Sequence, residues 1–157
     1  MTKVIKYFFQ SMVVYLLFLV GRILGLTISR KLFAALFVFL GPILKSNKIA
    51  KKNLKIIDHK ISNDEMIKII EKMWKNYGIT FIEYVYLKHF RKNNSYLGVK
   101  DEGNLLQIIK EKKPVIFVSG HFANFELMSM EISKKGIPLA TVYRPLNNFF
   151  LNPFMEF

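Results

Sequence analysis

Two His-x4-acid pairs stand in this chain, His59 with Asp64 and His121 with Glu126. A histidine beside a carboxylate is the simplest general-base unit. The carboxylate fixes the imidazole tautomer and stabilises the imidazolium, and the second ring nitrogen takes a proton from a hydroxyl. The spacing alone selects neither pair, because acidic residues are common. Context separates them. His59 follows a lysine-rich segment with no strand pattern before it, and Asp64 fits a helix start, where its charge favours the dipole. His121 follows the apolar run Val115, Ile116, Phe117, Val118 and a permissive Gly120, the pattern by which a strand delivers a side chain to a pocket.

Five residues within one helix turn through about 500°, which leaves the two side chains roughly 140° apart. His121 and Glu126 therefore meet only if His121 lies in a loop and Glu126 in the first turn of the helix that follows. The residues leave a plain alternative open: a loop histidine, and a glutamate favoured only by the helix dipole. Cysteine is absent, so a disulfide scaffold, a thiolate metal site and a cysteine nucleophile are excluded. No metal site is expected.

The elements around this pair read as an α/β rhythm. Tyr96 to Val99, Pro114 to Ser119 and Leu139 to Tyr143 are expected as strands, and Glu102 to Lys112 and Asn124 to Lys135 as helices, the second ended by Gly136. In such a sheet the loop Gly120, His121, Phe122, Ala123 would emerge at a strand's carboxyl end, where ligands bind. Upstream, Ser62 and Glu65 form a capping-box signature. Met66, Ile69, Ile70, Met73, Trp74, Tyr77, Phe81, Tyr84 and Val85 recur at helical spacing, predicting an amphipathic helix to about Phe90 that Gly78 kinks, with a polar break at Arg91 to Ser95.

The charge is as uneven as the hydropathy. The chain of 157 residues carries a formal charge of +13, and ten basic residues precede the first acidic one, Asp58. The same third holds charge-free apolar runs at Tyr7 to Gly21 and Leu32 to Leu44. Basic and apolar together indicate a membrane partner. Tyr7 to Ser29 reaches spanning length if Arg22 snorkels at one end, and Leu32 to Leu44 reads as an interfacial helix stopped by Gly41 and Pro42. No small-residue cleavage site follows, which argues against a signal peptide. Five lysines at 45–55 against Lys3 and Lys6 before the apolar region place the body in the cytoplasm. Nucleic acid is not expected, since the basic residues are interleaved with apolar runs.

The stretch Ser119, Gly120, His121, Phe122, Ala123, Asn124, Phe125, Glu126 resembles the His-Phe-Gly-Asn-Trp-Glu signature of the lipid A biosynthesis acyltransferases, the late lauroyl and myristoyl transferases of Gram-negative bacteria. Tyr143, Arg144, Pro145, Leu146, Asn147, Asn148 is similar to that family's next block, and Ala50, Asn53, Leu54, Asn76, Tyr77, Gly78 and Glu83 to its N-terminal helical region. Two positions depart from the pattern, Ala123 for the usual Gly and Phe125 for the usual Trp.

The resemblance implies transfer of a fatty acyl group from acyl carrier protein to a hydroxyl of a lipid A precursor, at the cytoplasmic face of the inner membrane, with no cofactor beyond the carrier thioester. His121 would be the general base, Glu126 its orienting partner, Asn124 the residue shaping the turn, and Arg144 a contact for a phosphate or carbonyl oxygen. The resemblance spans about the first half of the family's length. The expected architecture is α/β: a membrane anchor and interfacial helix over 1–46, then over 47–157 helices and the first part of a mixed acyltransferase sheet, apparently truncated. A downstream polypeptide is then a candidate partner. A glycerolipid acyltransferase, whose family usually has Asp where Glu126 stands, and a non-catalytic membrane-bound fragment are the alternatives.

Overall fold

The computed structural model describes residues 2–93, 96–100, 102–142 and 144–155, with nothing taken from the Met155 side chain. In chain order the elements are α1 (Thr2–Leu44), α2 (Lys48–Ile57), α3 (Asn63–Glu83), a 3₁₀ turn (Tyr84–Tyr86), α4 (Leu87–Lys92), α5 (Gly103–Glu111), α6 (Glu126–Lys134) and α7 (Asn152–Met155).

The first helix is two arms. Gly25 sits at φ 75, ψ 160, a left-handed conformation that glycine adopts without a Cβ penalty. The bend is sharp: Phe18 and Phe33 would lie ~22 Å apart along a straight helix, yet their rings are 5.0 and 5.9 Å from the ring of Phe81. The break strands carbonyls at the end of the first arm, and side chains satisfy one of them. The Gly21 oxygen accepts from the Ser29 hydroxyl at 2.7 Å and the Tyr86 hydroxyl at 2.6 Å. This break falls inside the expected span of Tyr7 to Ser29. Residues 2–24 are nonetheless ~35 Å of unbroken helix at 1.5 Å per residue, and α1 is long and apolar enough to cross a membrane, with a mean hydropathy of 2.1 over its most apolar stretch. The second arm continues past Gly41 and Pro42 to Leu44.

Packing of the second arm on α3 builds the core. Phe18, Phe33 and Ile82 are its buried centre, with Leu36, Phe37, Phe81 and Val85 packed around them. The predicted capping box starts α3: the Ser62 hydroxyl accepts from Glu65 N, and the Ser62 backbone donates to the Glu65 carboxylate. Met66, Ile70 and Trp74 are buried as the helical spacing predicts, whereas Ile69 and Tyr77 face outward. Gly78, expected to kink the helix, lies inside an unbroken one. A Cβ there would overlap the Phe33 carbonyl, so its small size lets two helices approach closely. The expected helix to Phe90 ends at Glu83. The tighter 3₁₀ turn that follows carries Tyr84 and Tyr86 toward other elements, and Phe90 is buried on α4.

Beyond α4 the α/β expectation fails. Among the described residues there is no strand and no sheet. The chain at 96–99, 114–119 and 139–142 lacks ladder partners, and Ile116 and Val118 are each 90% exposed. An apolar run becomes a strand only when a neighbouring backbone completes its hydrogen bonds, and no described segment offers one. The two helices of this region stand close to their expected bounds, as α5 and α6. Gly136 closes α6 at φ 79, with its N–H donating to the Ser133 oxygen at 3.0 Å. Ser95 and Tyr143, which fall in the expected polar break and third strand, lie outside the described residues.

Candidate active site

The Gly120–Phe125 loop is tight because of two local features. Phe122 N donates to the Gly120 oxygen at 2.8 Å, and Ala123 takes φ 46, the left-handed region where a glycine would sit more easily. The chain then enters α6 with Glu126 as its first residue, where a carboxylate is favoured by the helix dipole.

The structure places the predicted residues as follows. His121 is exposed in the loop, with its ring 4.3 Å from that of Phe125 at an interplanar angle of 58°. Among the described residues its imidazole makes no hydrogen bond, so both nitrogens face solvent or an incoming group. Glu126 is half-buried in the first turn of α6, but its bonding partner is not His121: Oε1 accepts from the Tyr84 hydroxyl at 2.6 Å. Asn124 is half-buried, and its Nδ2 donates to Glu83 Oε2 at 2.8 Å. Its Oδ1 is buried with no partner among the described residues. Arg144 is exposed in the connection toward α7. The loop thus brings His121, Asn124 and Glu126 to the start of α6, and Arg144 makes no hydrogen bond or ion pair to them among the described residues.

The residues that hold this loop carried no signal of chemistry in the sequence. Glu83 is 5% exposed, a buried carboxylate that must be paired. Arg30 on the second arm of α1 supplies the charge, with Nη2 2.7 Å and Nε 2.8 Å from Glu83 Oε1. Glu83 therefore joins the apolar helix to the histidine loop through one carboxylate, one oxygen for each side. Arg22 turns the same way. Its guanidinium lies 5.8 Å from the centre of the Tyr86 ring and donates to the Val85 oxygen at 3.4 Å, so both arginines of α1 face the protein body. Glu83 entered the sequence reading only through the resemblance of the N-terminal helical region, and as a charge that interrupts an apolar sequence near the end of α3.

Beside the loop, α5, α6 and the extended segments enclose an open groove of about 1020 Å³. Ile108, Val115, Phe117, Met128, Ile132 and Leu139 line it, and Ser119, two positions before His121, lies at its edge. The groove is mainly apolar, and His121 itself is not among the residues that line it. The other histidines sit elsewhere: His59 is exposed among the lysines of α2, and His89 packs 5.1 Å from the Tyr96 ring. No group of three His, Asp or Glu side chains among the described residues is placed to hold a metal ion.

No curated protein and no solved structure matches the chain. Residues 1–156 match the family model of the bacterial lipid A biosynthesis acyltransferases. The match takes in the broken apolar helix, α3 and the histidine loop together, and the chain belongs to that family.

Proposed function

We propose that the protein moves a fatty acyl group from the thioester of acyl carrier protein to a hydroxyl of a lipid A precursor, working at the cytoplasmic face of the inner membrane. The observation that carries this reading is the exposed His121 imidazole, two residues beyond a segment that lines an apolar groove, in a chain of this family. His121 takes the hydroxyl proton as the acceptor oxygen attacks the thioester carbonyl. The carbon–sulfur bond then breaks, and the carrier thiolate leaves and is protonated by the imidazolium. Glu126 stabilises that imidazolium. Its Oε1 is held by Tyr84, which leaves Oε2 for the histidine once substrate orders the loop, since catalytic hydrogen bonds commonly tighten only in the substrate complex.

The groove suits an acyl chain because burial of methylenes gives about 0.8 kcal/mol each, so chain length is converted directly into binding. Asn124 keeps the turn compact through Glu83. Arg144, a planar cation at the surface, is assigned to a phosphate or carbonyl oxygen of the substrates.

Acyl transfer from labelled acyl carrier protein to a lipid A precursor, measured in membranes containing the protein, tests the assignment. His121→Ala should lower the rate by about 10²- to 10⁴-fold, the usual cost of losing a general base. His59→Ala should leave it nearly unchanged. Equal losses for the two variants would defeat the argument from loop geometry.

A further inference from the structure

We propose that α2 is a docking helix for an anionic lipid surface, with its lysine row on the phosphates and two isoleucines in the acyl boundary. At 100° per residue, Lys48, Lys51, Lys52 and Lys55 fall within an arc of roughly 100° on one side of α2. No acidic residue stands on the helix, and none of these lysines makes an ion pair among the described residues. Asp58, just past the end, is occupied by the Lys60 N–H at 2.9 Å.

The apolar side is divided. Ala50 and Leu54 are half-buried against the body, whereas Ile49 and Ile56, which border the lysine row, are 67% and 62% exposed. A helix packed for water alone would turn these isoleucines inward. A tether holds its start in place: Trp74 Nε1 on α3 donates to Asn47 Oδ1 at 2.9 Å, and Asn47 immediately precedes α2. The surface also continues an apolar one, because α1 ends with Phe39, Ile43 and Leu44 all exposed. A row of cations flanked by exposed isoleucines, placed just after an apolar helix, complements a negative headgroup layer over hydrocarbon. An acidic protein would satisfy the lysines and leave the isoleucines in water. This inference stands on α2 and does not depend on the chemistry at His121.

The chain lacks cysteine, so Ile56→Cys gives a unique labelling site for an environment-sensitive nitrobenzoxadiazole fluorophore. The full protein is reconstituted into phosphatidylcholine vesicles with rising fractions of phosphatidylglycerol. The emission should shift to the blue, access of the neutral quencher acrylamide should fall, and headgroup spin labels should quench as phosphatidylglycerol increases. Each single Lys→Gln substitution on α2 should weaken this docking about fivefold, and the quadruple Lys→Gln variant should lose the dependence on phosphatidylglycerol. The quadruple Lys→Arg variant should keep it, which separates lost charge from lost folding. Water-like emission in every vesicle would overturn the proposal, as would a shift produced only by added acyl carrier protein.

Discussion

Phe33 and Ile116 both lie in apolar runs, yet Phe33 is 1% exposed and Ile116 is 90%. The difference marks two regions built on different terms. Between the Gly25 break and Lys92 the chain finds partners for its core face: the second arm of α1 lies on α3, aromatic rings meet around Phe81, and the Gly21 carbonyl at the break is satisfied by Ser29 and Tyr86. From 114 to 118 the apolar run borders a groove, with Ile116 and Val118 exposed, while further on Phe150 and Phe154 pack back against Phe8 and Phe18. The histidine loop stands where these regions meet, with Glu83 and Tyr84 of the packed side holding Asn124 and Glu126 of the open side. An exposed histidine loop is thus held in place by side chains of the packed neighbour.

The comparison breaks most severely if the two regions respond alike to losing an apolar side chain. Phe33→Ala should cost about 3–5 kcal/mol of stability, the range for truncating a buried Phe, while Ile116→Ala should stay within about 0.5 kcal/mol. Denaturant unfolding in detergent micelles measures both. A large loss at Ile116 would mean that its run is packed in solution.

The bridge between the regions is the next test. Glu83→Ala leaves Arg30 and Asn124 without their shared carboxylate. The cost should be about 1–3 kcal/mol, the penalty for stranding buried partners, below that of a fully buried ion pair because the Arg30 side chain is 36% exposed. Hydrogen exchange should also quicken across 120–127 while the α1–α3 core stays protected. Unchanged exchange in the loop would show that Glu83 does not hold it.

Smaller effects sharpen the picture. Tyr84→Phe removes the 2.6 Å hydrogen bond to Glu126, which should cost about 1 kcal/mol in denaturant unfolding. At the far end of α3, Ser62→Ala should lose about 1 kcal/mol through the helix cap. The Ser62 hydroxyl, and then its backbone N–H, hold the Glu65 carboxyl below its ordinary value of 4.5. Since the folded state lowers this pKa, the contribution is present at neutral pH and lost as pH falls from the ordinary carboxylate range through the depressed value. The gap between acid unfolding curves of the wild-type protein and Ser62→Ala should therefore narrow at low pH to the part due to the Glu65 N–H bond to the Ser62 hydroxyl. A gap that stays constant would assign the cap to that backbone bond alone.

Much of the helical half was legible because its signals are local. A serine three residues before a glutamate caps a helix by contacts within one turn, and buried Met66, Ile70 and Trp74 follow from helical spacing. Gly78 shows the limit: its sequence reads as a kink, but the reason for glycine there is the Phe33 backbone from another helix. The candidate site was legible in its residue types and its loop, since Gly120 and the strand-like run before it point to an exposed turn. The partners of Asn124 and Glu126 were not, because Glu83 and Tyr84 lie about forty residues away and touch them only after folding.

What the sequence determined by itself was the basic, membrane-length apolar start, the start of α3, the helices α5 and α6, and the histidine loop with its family. The apolar start and the helices rest on hydropathy, charge or capping within a few neighbouring residues, and the family on the resemblance of its motifs. Tertiary structure alone decided that α1 folds back at Gly25, that both its arginines contact the protein body, and that the described residues of the expected strands remain unpaired. Chain direction after a glycine, the partner of a buried charge and the completion of a β-ladder all depend on groups distant in sequence, whose positions no local pattern specifies.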